Sequence, residues 1–403
     1  MRFRRMWPWA ALFLYPLSSL GQELTLGEAL TLAREQAPDV VLAKGRIEEA
    51  RARQAAAGRR FQENPSLEVN GGYRRAEDDH LDFEAAISQS LYGRERRTAR
   101  AAGAQAALER AEAELDEARR VLLRDVWTTF VRAAAAGDRV ALLTRDRQAA
   151  DELLAATERR YEAGEATALE LNRARTAAAS TRAEQSGAEA EEGAALGELQ
   201  GLLGLSPEES VEVRTDPALR EPPDLPSLLA GLDRRPDLRV LAAELREAEA
   251  EVTLGRALAR PGLGVRGGVG REEGAEIVTA GVVVSLPIYD HGQEVSAIGE
   301  ARAAALRQAI ASARRSADAE VRGRHSALLR HLEAARELER TALPALEDNE
   351  SLALKSFEAG EIDLGELLLL RREILETRLT YLERLLDASL TRFELEAAAG
   401  ALP

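Results

Sequence analysis

The sequence predicts a mostly α-helical chain that also carries four β-strands of a membrane barrel, with the whole plan duplicated along the chain. Three observations predict it. The pentad Tyr161-Glu-Ala-Gly-Glu165 returns as Phe357-Glu-Ala-Gly-Glu361, and six residues past each glycine Glu170-Leu171 returns as Glu366-Leu367. Two pairs of segments, each of roughly ten residues, alternate apolar and polar positions, the period of a strand that is wet on one face only. Two proline-poor stretches of small, helix-forming residues run far beyond the helix of an ordinary globular domain, which averages about 11 residues.

Taken in order, Arg2, Arg4 and Arg5 precede an apolar stretch from Met6 to Leu17 and then Ser18, Ser19, Leu20 and Gly21, so residues 1–21 read as an export signal, too short to span a bilayer. The first repeat follows, over 22–205. Leu24 to Arg60 reads as helix interrupted near Pro38, and the pattern changes at Asn64-Pro65. Leu67, Val69, Gly71 and Tyr73 then share one parity while Ser66, Glu68, Asn70 and Gly72 share the other, which predicts a strand over about 64–74. Past a polar turn, Phe83, Ala85, Ile87 and Leu91 oppose Asp82, Glu84, Ser88 and Ser90, a second strand over about 81–92.

No proline occurs from Arg94 to Ala163, and Ala101, Ala104, Leu108, Ala111, Leu115, Ala118 and Leu122 recur at alternating steps of three and four, a heptad seam. At about 1.5 Å per residue this coiled-coil helix would reach roughly 100 Å. A returning helix spans Thr167 to Leu203, and the proline-rich stretch 206–226 links the repeats.

The second repeat, 227–403, restates the first: Pro38-Asp39 returns as Pro236-Asp237, Pro65 as Pro261 and Ser90-Leu91 as Ser285-Leu286. Its strands are expected over about 261–271 and 276–288. Its long helix runs from Gln293 to Ala359 with a kink at Pro344, and its returning helix from Asp363 to Ala399. Gly164 and Gly360 mark the tips of two helical hairpins, where a positive φ is cheap only for glycine. A repeat of about 200 residues is far longer than a solenoid unit, so each half is a complete module.

No later stretch can cross a bilayer as a helix, since the charge-free apolar run Ile277–Tyr289 falls well short of the ~20 residues required. Any membrane passage must therefore use strands. Four strands do not close a barrel, for which about eight are needed, so two or three chains must each contribute a sheet.

Composition narrows the function. The 403 residues hold 54 Lys plus Arg against 69 Asp plus Glu, a net charge of −15, which argues against nucleic acid. Cysteine is absent, which removes disulfides, thiolate metal sites, Cys nucleophiles and a lipid-bearing Cys. No Ser/His/Asp order, H-E-x-x-H helix or phosphate loop is present, so the chain reads as a non-enzyme with no cofactor. Gly262, Gly264 and Gly267 satisfy a dinucleotide pattern by spacing but lie inside an alternating strand, and read as small barrel residues. Glu77, Asp78, Asp79, His80 and Asp82 form an acidic hairpin loop, read as solvated rather than as a metal site; His325 and His331 lie about 240° apart on a helix and do not converge. Phe61, Tyr73, Phe83, Tyr92 and Tyr289 fall near strand ends, as an aromatic girdle would.

At this point the residues resemble the TolC family of outer-membrane efflux channels. The likeness covers the whole mature chain: Leu24-Thr-Leu-Gly-Glu-Ala-Leu, Asn64-Pro-Ser-Leu, the Tyr/Phe-x-x-Gly tips, and Arg235-Pro-Asp-Leu-Arg. Ser88-Gln-Ser-Leu-Tyr-Gly-Arg-Glu-Arg-Arg and Ser285-Leu-Pro-Ile-Tyr-Asp-His-Gly-Gln resemble the heavy-metal branch of the cobalt, zinc and cadmium type. The resemblance implies a homotrimer with a 12-stranded barrel in outer-membrane lipid, a periplasmic helical tunnel, and docking to an inner-membrane RND-type pump through a periplasmic adaptor. Many relatives carry a lipidated Cys that this chain lacks. A duct of a type I protein-secretion system and a non-conducting periplasmic coiled-coil adaptor or scaffold are the rival readings.

On this resemblance the tip residues Tyr161, Ala163, Gly164, Glu165, Phe357, Ala359, Gly360 and Glu361 are expected to dock the adaptor. Glu170 and Glu366 are expected near the periplasmic aperture, with Leu369 making that ring partly apolar. The alternative, that both glutamates pair with Arg173, Arg371 or Arg372 on a helix surface, stands beside it.

Overall fold

The computed structural model describes residues 22–59, 61, 63–74, 80–206, 211–214, 219–272 and 275–401. The export signal and residues 77–79 of the acidic loop lie outside them. Strand β1 (Gln22–Leu24) is followed by α1 (Leu26–Gln36) and α2 (Pro38–Ala57). Thr25 and Glu28 close a reciprocal capping box at the start of α1, and Pro38 opens α2 where its missing N–H costs nothing. Strands β2 (Ser66–Arg74) and β3 (His80–Leu91) lead into α3 (Arg94–Glu162), one unbroken helix of 69 residues. Helix α4 (Ala168–Leu203) returns along it and stops at Gly204, which takes the left-handed conformation.

The linker is not featureless: Val211–Val213 forms β4, parallel to β1, before α5 (Leu225–Ala230). Helix α6 (Pro236–Leu258), strands β5 (Gly262–Glu272) and β6 (Ala275–Ser285), and α7 (Gln293–Glu337) then repeat the first half. A π-helical segment, Leu338–Ala342, separates α7 from α8 (Leu343–Glu358), and α9 (Leu364–Ala398) completes the chain. The π turn sits just ahead of Pro344, whose ring and missing N–H break the ordinary ladder, so the expected kink takes the form of a widened turn.

Strands order as β2-β3-β5-β6, all antiparallel, with Ala85 opposite both Val69 and Val269, and Val269 opposite Val278. One core joins α1, α2, α3 and α4 through Ala29, Val40, Ile47, Leu115, Val126, Phe130 and Leu199. Another joins α5, α7 and α9 through Leu228, Val321, Leu328 and Leu395. Of the heptad seam, Leu108, Ala111, Leu115 and Leu122 are buried while Ala101, Ala104 and Ala118 are half-buried. Helix α3 packs on α2, α4, α6 and α9, so it buries more than one stripe.

One aromatic contact ties the halves, and one buried arginine ties the helices of the second half together. Trp127 of α3 stacks on Phe393 of α9, ring centroids 4.3 Å apart. Arg235, 8% exposed, donates Nε and Nη2 to Asp237 at 3.0 and 2.9 Å, and Nη1 to Glu320 at 3.2 Å and the Ala398 carbonyl at 2.7 Å. The Arg235-Pro-Asp motif thereby pins α6 to α7 and to the end of α9. Helices α6 and α7 meet closely at Gly255, where a Cβ would stand 2.6 Å from the Ser296 nitrogen.

Candidate functional site

The sheet has two chemically distinct faces. Register places Leu67, Val69 and Tyr73 of β2, Leu81, Phe83 and Ile87 of β3, Leu263, Val265 and Val269 of β5, and Val278, Val282 and Val284 of β6 on one side. All twelve are exposed, Val278 at 82%. Arg271 and Glu276, the charged pair on that side, face each other at the end of the β5–β6 ladder nearest its hairpin turn. The opposite side carries Ser66, Glu68, Asn70, Asp82, Glu84, Ser88, Arg266, Glu272 and Thr279. There Arg266 bridges Glu68 and Glu84, each at 3.3 Å, across three strands.

An 11-residue strand such as β5 extends about 36 Å, or roughly 27 Å when tilted by about 40°. That matches the ~25 Å apolar band of a membrane barrel. Glycines let the sheet curl tightly over its polar side: a Cβ on Gly270 would stand 2.7 Å from the Phe83 carbonyl oxygen, and one on Gly268 2.9 Å from the Thr279 hydroxyl. Gly262, Gly264 and Gly267 all lie within β5, so the dinucleotide spacing has no strand-to-helix turn behind it. The outer edges of β2 and β6 pair with no strand among the described residues. Unpaired edges combined with an exposed apolar face describe a piece of a larger closed sheet.

At the other end of the molecule the two hairpins lie side by side. Gly164 and Gly360 have φ of 77° and 75°. Each turn is stapled the same way: Glu165 donates its N–H to the Arg160 carbonyl at 2.7 Å, and Glu361 to that of Ser356 at 2.8 Å. Leu153, Ala174, Ala353, Leu364 and Leu367 form a shared core behind the tips, and the Arg160 guanidinium lies 5.7 Å from the centre of the Phe357 ring. Tyr161, Ala163, Gly164, Glu165, Ala359, Gly360 and Glu361 are exposed, whereas Phe357 is half-buried.

The two aperture candidates differ. Glu170 is spent locally: its carboxylate accepts from the Thr167 N–H at 2.6 Å and hydroxyl at 2.8 Å, closing a capping box on α4. Those hydrogen bonds hold its carboxyl below the usual range, the backbone one most. In the second repeat Asp363 caps α9 by itself, accepting from the Glu366 N–H at 2.9 Å. The Glu366 side chain is left exposed, beside exposed Leu369 one turn on, and no described residue pairs with it. The three arginines named as partners are engaged elsewhere. Arg372 pairs with Glu376 at 2.8 Å, Arg371 faces Asp146 across the hairpins, and Arg173 lies by Asp363.

Tyr92 departs from the girdle pattern, since its hydroxyl donates to Glu63 and its ring lies beneath Arg96. His325 bonds the Pro223 carbonyl and His331 lies 3.8 Å from Asp387, in separate places. The short paired strands β1 and β4 and the Arg235 anchor escaped the sequence reading. The anchor left a signal, an arginine ahead of the duplicated Pro-Asp, that its own repeat partner Ala37 does not share.

Comparison with known proteins agrees with this geometry. The cobalt-zinc-cadmium resistance protein CzcC of Cupriavidus metallidurans is 28% identical over 301 residues, 71% of this chain and 69% of that one. Among solved structures, the outer-membrane channel OprN superposes with a TM-score of 0.77 at 21% identity over 94% of this chain and 90% of its own. CusC superposes with a TM-score of 0.79 at 18% identity, over 97% and 96%. The outer membrane efflux protein profile matches residues 29–205 and 230–401, and with nearly the whole described chain so covered, the chain belongs to that family.

Proposed function

We propose that this chain is the exit duct of a tripartite efflux system. Three copies close their sheets edge to edge into a 12-stranded barrel in the outer membrane, and the helices extend as a tunnel into the periplasm. The hairpin tips receive a periplasmic adaptor, and an inner-membrane RND-type pump drives substrate through the passive duct. The observation that carries the reading is the sheet: two edges left unpaired among the described residues and a broad exposed apolar face, which closure in lipid satisfies. A periplasmic scaffold has no need of such a face.

Metal cations are the substrate class favoured by the similarity to CzcC. The polar sheet face supports it, because its register positions hold four acids, Glu68, Asp82, Glu84 and Glu272, against two arginines, Arg74 and Arg266. Expression with its pump and adaptor in cells lacking their own outer-membrane component is expected to lower intracellular zinc, cobalt or cadmium. Equal metal content with and without the chain would overturn the assignment of substrate.

A further inference from the structure

The arginines that follow the second strand lie at the start of α3, at the opposite end of that helix from the hairpin tips. Strand β3 ends at Leu91 on the apolar face and α3 begins at Arg94, so Arg94, Arg96, Arg97 and Arg100 occupy the first two turns below the apolar band. Glu95, the one acid among them, is taken by Arg260 at the end of α6. The Arg96 and Arg100 guanidiniums lie 4.2 and 5.1 Å from the centre of the Tyr92 ring.

Arg94 is exposed and Arg97 half-buried, and the side chain of neither has an ion pair or hydrogen bond among the described residues. The Nε–H groups of Arg96 and Arg97 are shut off from solvent without an acceptor. Further along α3, Arg110, Arg119, Arg120, Arg124 and Arg139 find carboxylates, while Arg147 has an Nε shut off in the same way but stands alone rather than in a cluster. What sets the start of α3 apart is the clustering of unpaired guanidiniums over two turns in a chain of net charge −15, a concentration of positive charge suited to an external anion.

The surroundings say which anion. Leu91 pairs with Leu263 and Leu263 with Val284, so the residues after β6 emerge at the same end of the sheet, and Leu286, Ile288 and Tyr289 there are exposed. Apolar side chains on one level with unpaired guanidiniums just below match the profile of a lipid across its acyl–headgroup boundary. We propose that Arg94 and Arg97, with Arg96 held over Tyr92, clamp the phosphate of an anionic phospholipid in the inner leaflet at the periplasmic rim of the barrel. The proposal rests on the sheet being the membrane wall. Guanidinium forks match phosphate oxygens in pairs, which an ammonium does not.

The test is native mass spectrometry of the purified trimer in nonionic detergent, titrated with phosphatidylglycerol or with phosphatidylcholine of the same chains. The wild type is expected to retain up to one phosphatidylglycerol per protomer, to resist displacement by millimolar inorganic phosphate, and to release phosphatidylcholine. Arg94→Gln with Arg97→Gln is expected to weaken phosphatidylglycerol retention by about 25-fold, about fivefold for each basic group, with Arg94→Lys/Arg97→Lys in between. Equal retention of the two lipids, equal retention by wild type and Gln variant, or displacement by free phosphate would overturn the clamp. So would loss of the trimer in both variants, since the arginines would then join protomers. A wild-type trimer that holds neither lipid sinks the clamp and leaves the duct standing, whereas the lack of any wild-type trimer sinks the duct.

Discussion

Replacing Arg235 with alanine should loosen the junction of α6, α7 and α9 without touching the sheet or the tips. The side chain makes four hydrogen bonds, to Asp237, Glu320 and the Ala398 carbonyl. A hydrogen bond to a charged group is worth about 1.5–3 kcal/mol, and stripping a buried ion of its partner costs about 3–5 kcal/mol. Here the full figure does not apply. The side chains of Asp237 and Glu320 are 35% and 37% exposed, so water takes over much of their solvation once the arginine is gone. What remains is an orphaned carbonyl at Ala398 and a hole where the guanidinium packed, a net loss of about 2–3 kcal/mol. That is a factor of about 30–150 in a local opening equilibrium.

Hydrogen–deuterium exchange reads it directly, as faster exchange of the amides from Leu395 to Ala399. Arg235→Lys, which keeps the charge but not the fork, should fall between. A pH arm adds a second check. Burial pushes the Asp237 carboxyl up, but the hydrogen bonds and charge of Arg235 outweigh it and hold the group below its ordinary value. A depressed carboxylate contributes its stability above its unfolded pKa of about 3.9 and loses it as pH falls through the folded value. The advantage of wild type over Arg235→Ala should therefore shrink below about pH 4. Exchange unchanged within twofold in Arg235→Ala at neutral pH would refute the anchor.

Other outcomes follow from the same geometry. In planar-bilayer recordings Glu366→Gln should reduce cation selectivity and divalent-cation block far more than Glu170→Gln, because of the two only the Glu366 carboxylate is unpaired among the described residues; equal reductions would refute that distinction, and no effect from either would remove both from the aperture. Valine at Gly164 or Gly360 meets no neighbouring atom but must adopt a positive φ, costing about 1–2 kcal/mol, so trimers should still form while resistance falls; asparagine, which tolerates that conformation, should fall less. Unchanged resistance in both valine variants would refute docking at the tips. Gly255→Leu has no room against Ser296 and should deplete folded protein from the membrane fraction, whereas Gly45→Leu, where a Cβ meets no neighbour, should not.

The sequence disclosed those parts of the fold whose physics is periodic or duplicated. Four strands were legible because Leu67-x-Val69 and Leu263-x-Val265 alternate with polar residues over a whole barrel height, and α3 because nothing between Arg94 and Glu162 can stop a helix. The ladder of β1 on β4 was not, since each strand has three residues and no period to read. Arg235 looked like a solvated charge because Glu320 and Ala398 stand 85 and 163 residues away in sequence. At the hairpins the duplication concealed a difference: Thr167 needs Glu170 to complete its cap, whereas Asp363 caps alone and frees Glu366. The Thr-x-x-Glu spacing carried that signal, and the symmetry of the repeat masked it.

The most direct test of the account is disulfide closure of the barrel. The chain has no cysteine, so a pair introduced on the free edges, at Val69 of β2 and scanned over Val278, Ala280 and Val282 of β6, reports only on contacts between copies. A closed barrel of three chains predicts that one pairing locks under oxidation into a species of three times the chain mass, with nothing larger, while each single-cysteine variant stays unlinked. Monomer alone across the scan, or a ladder continuing past three, would contradict it.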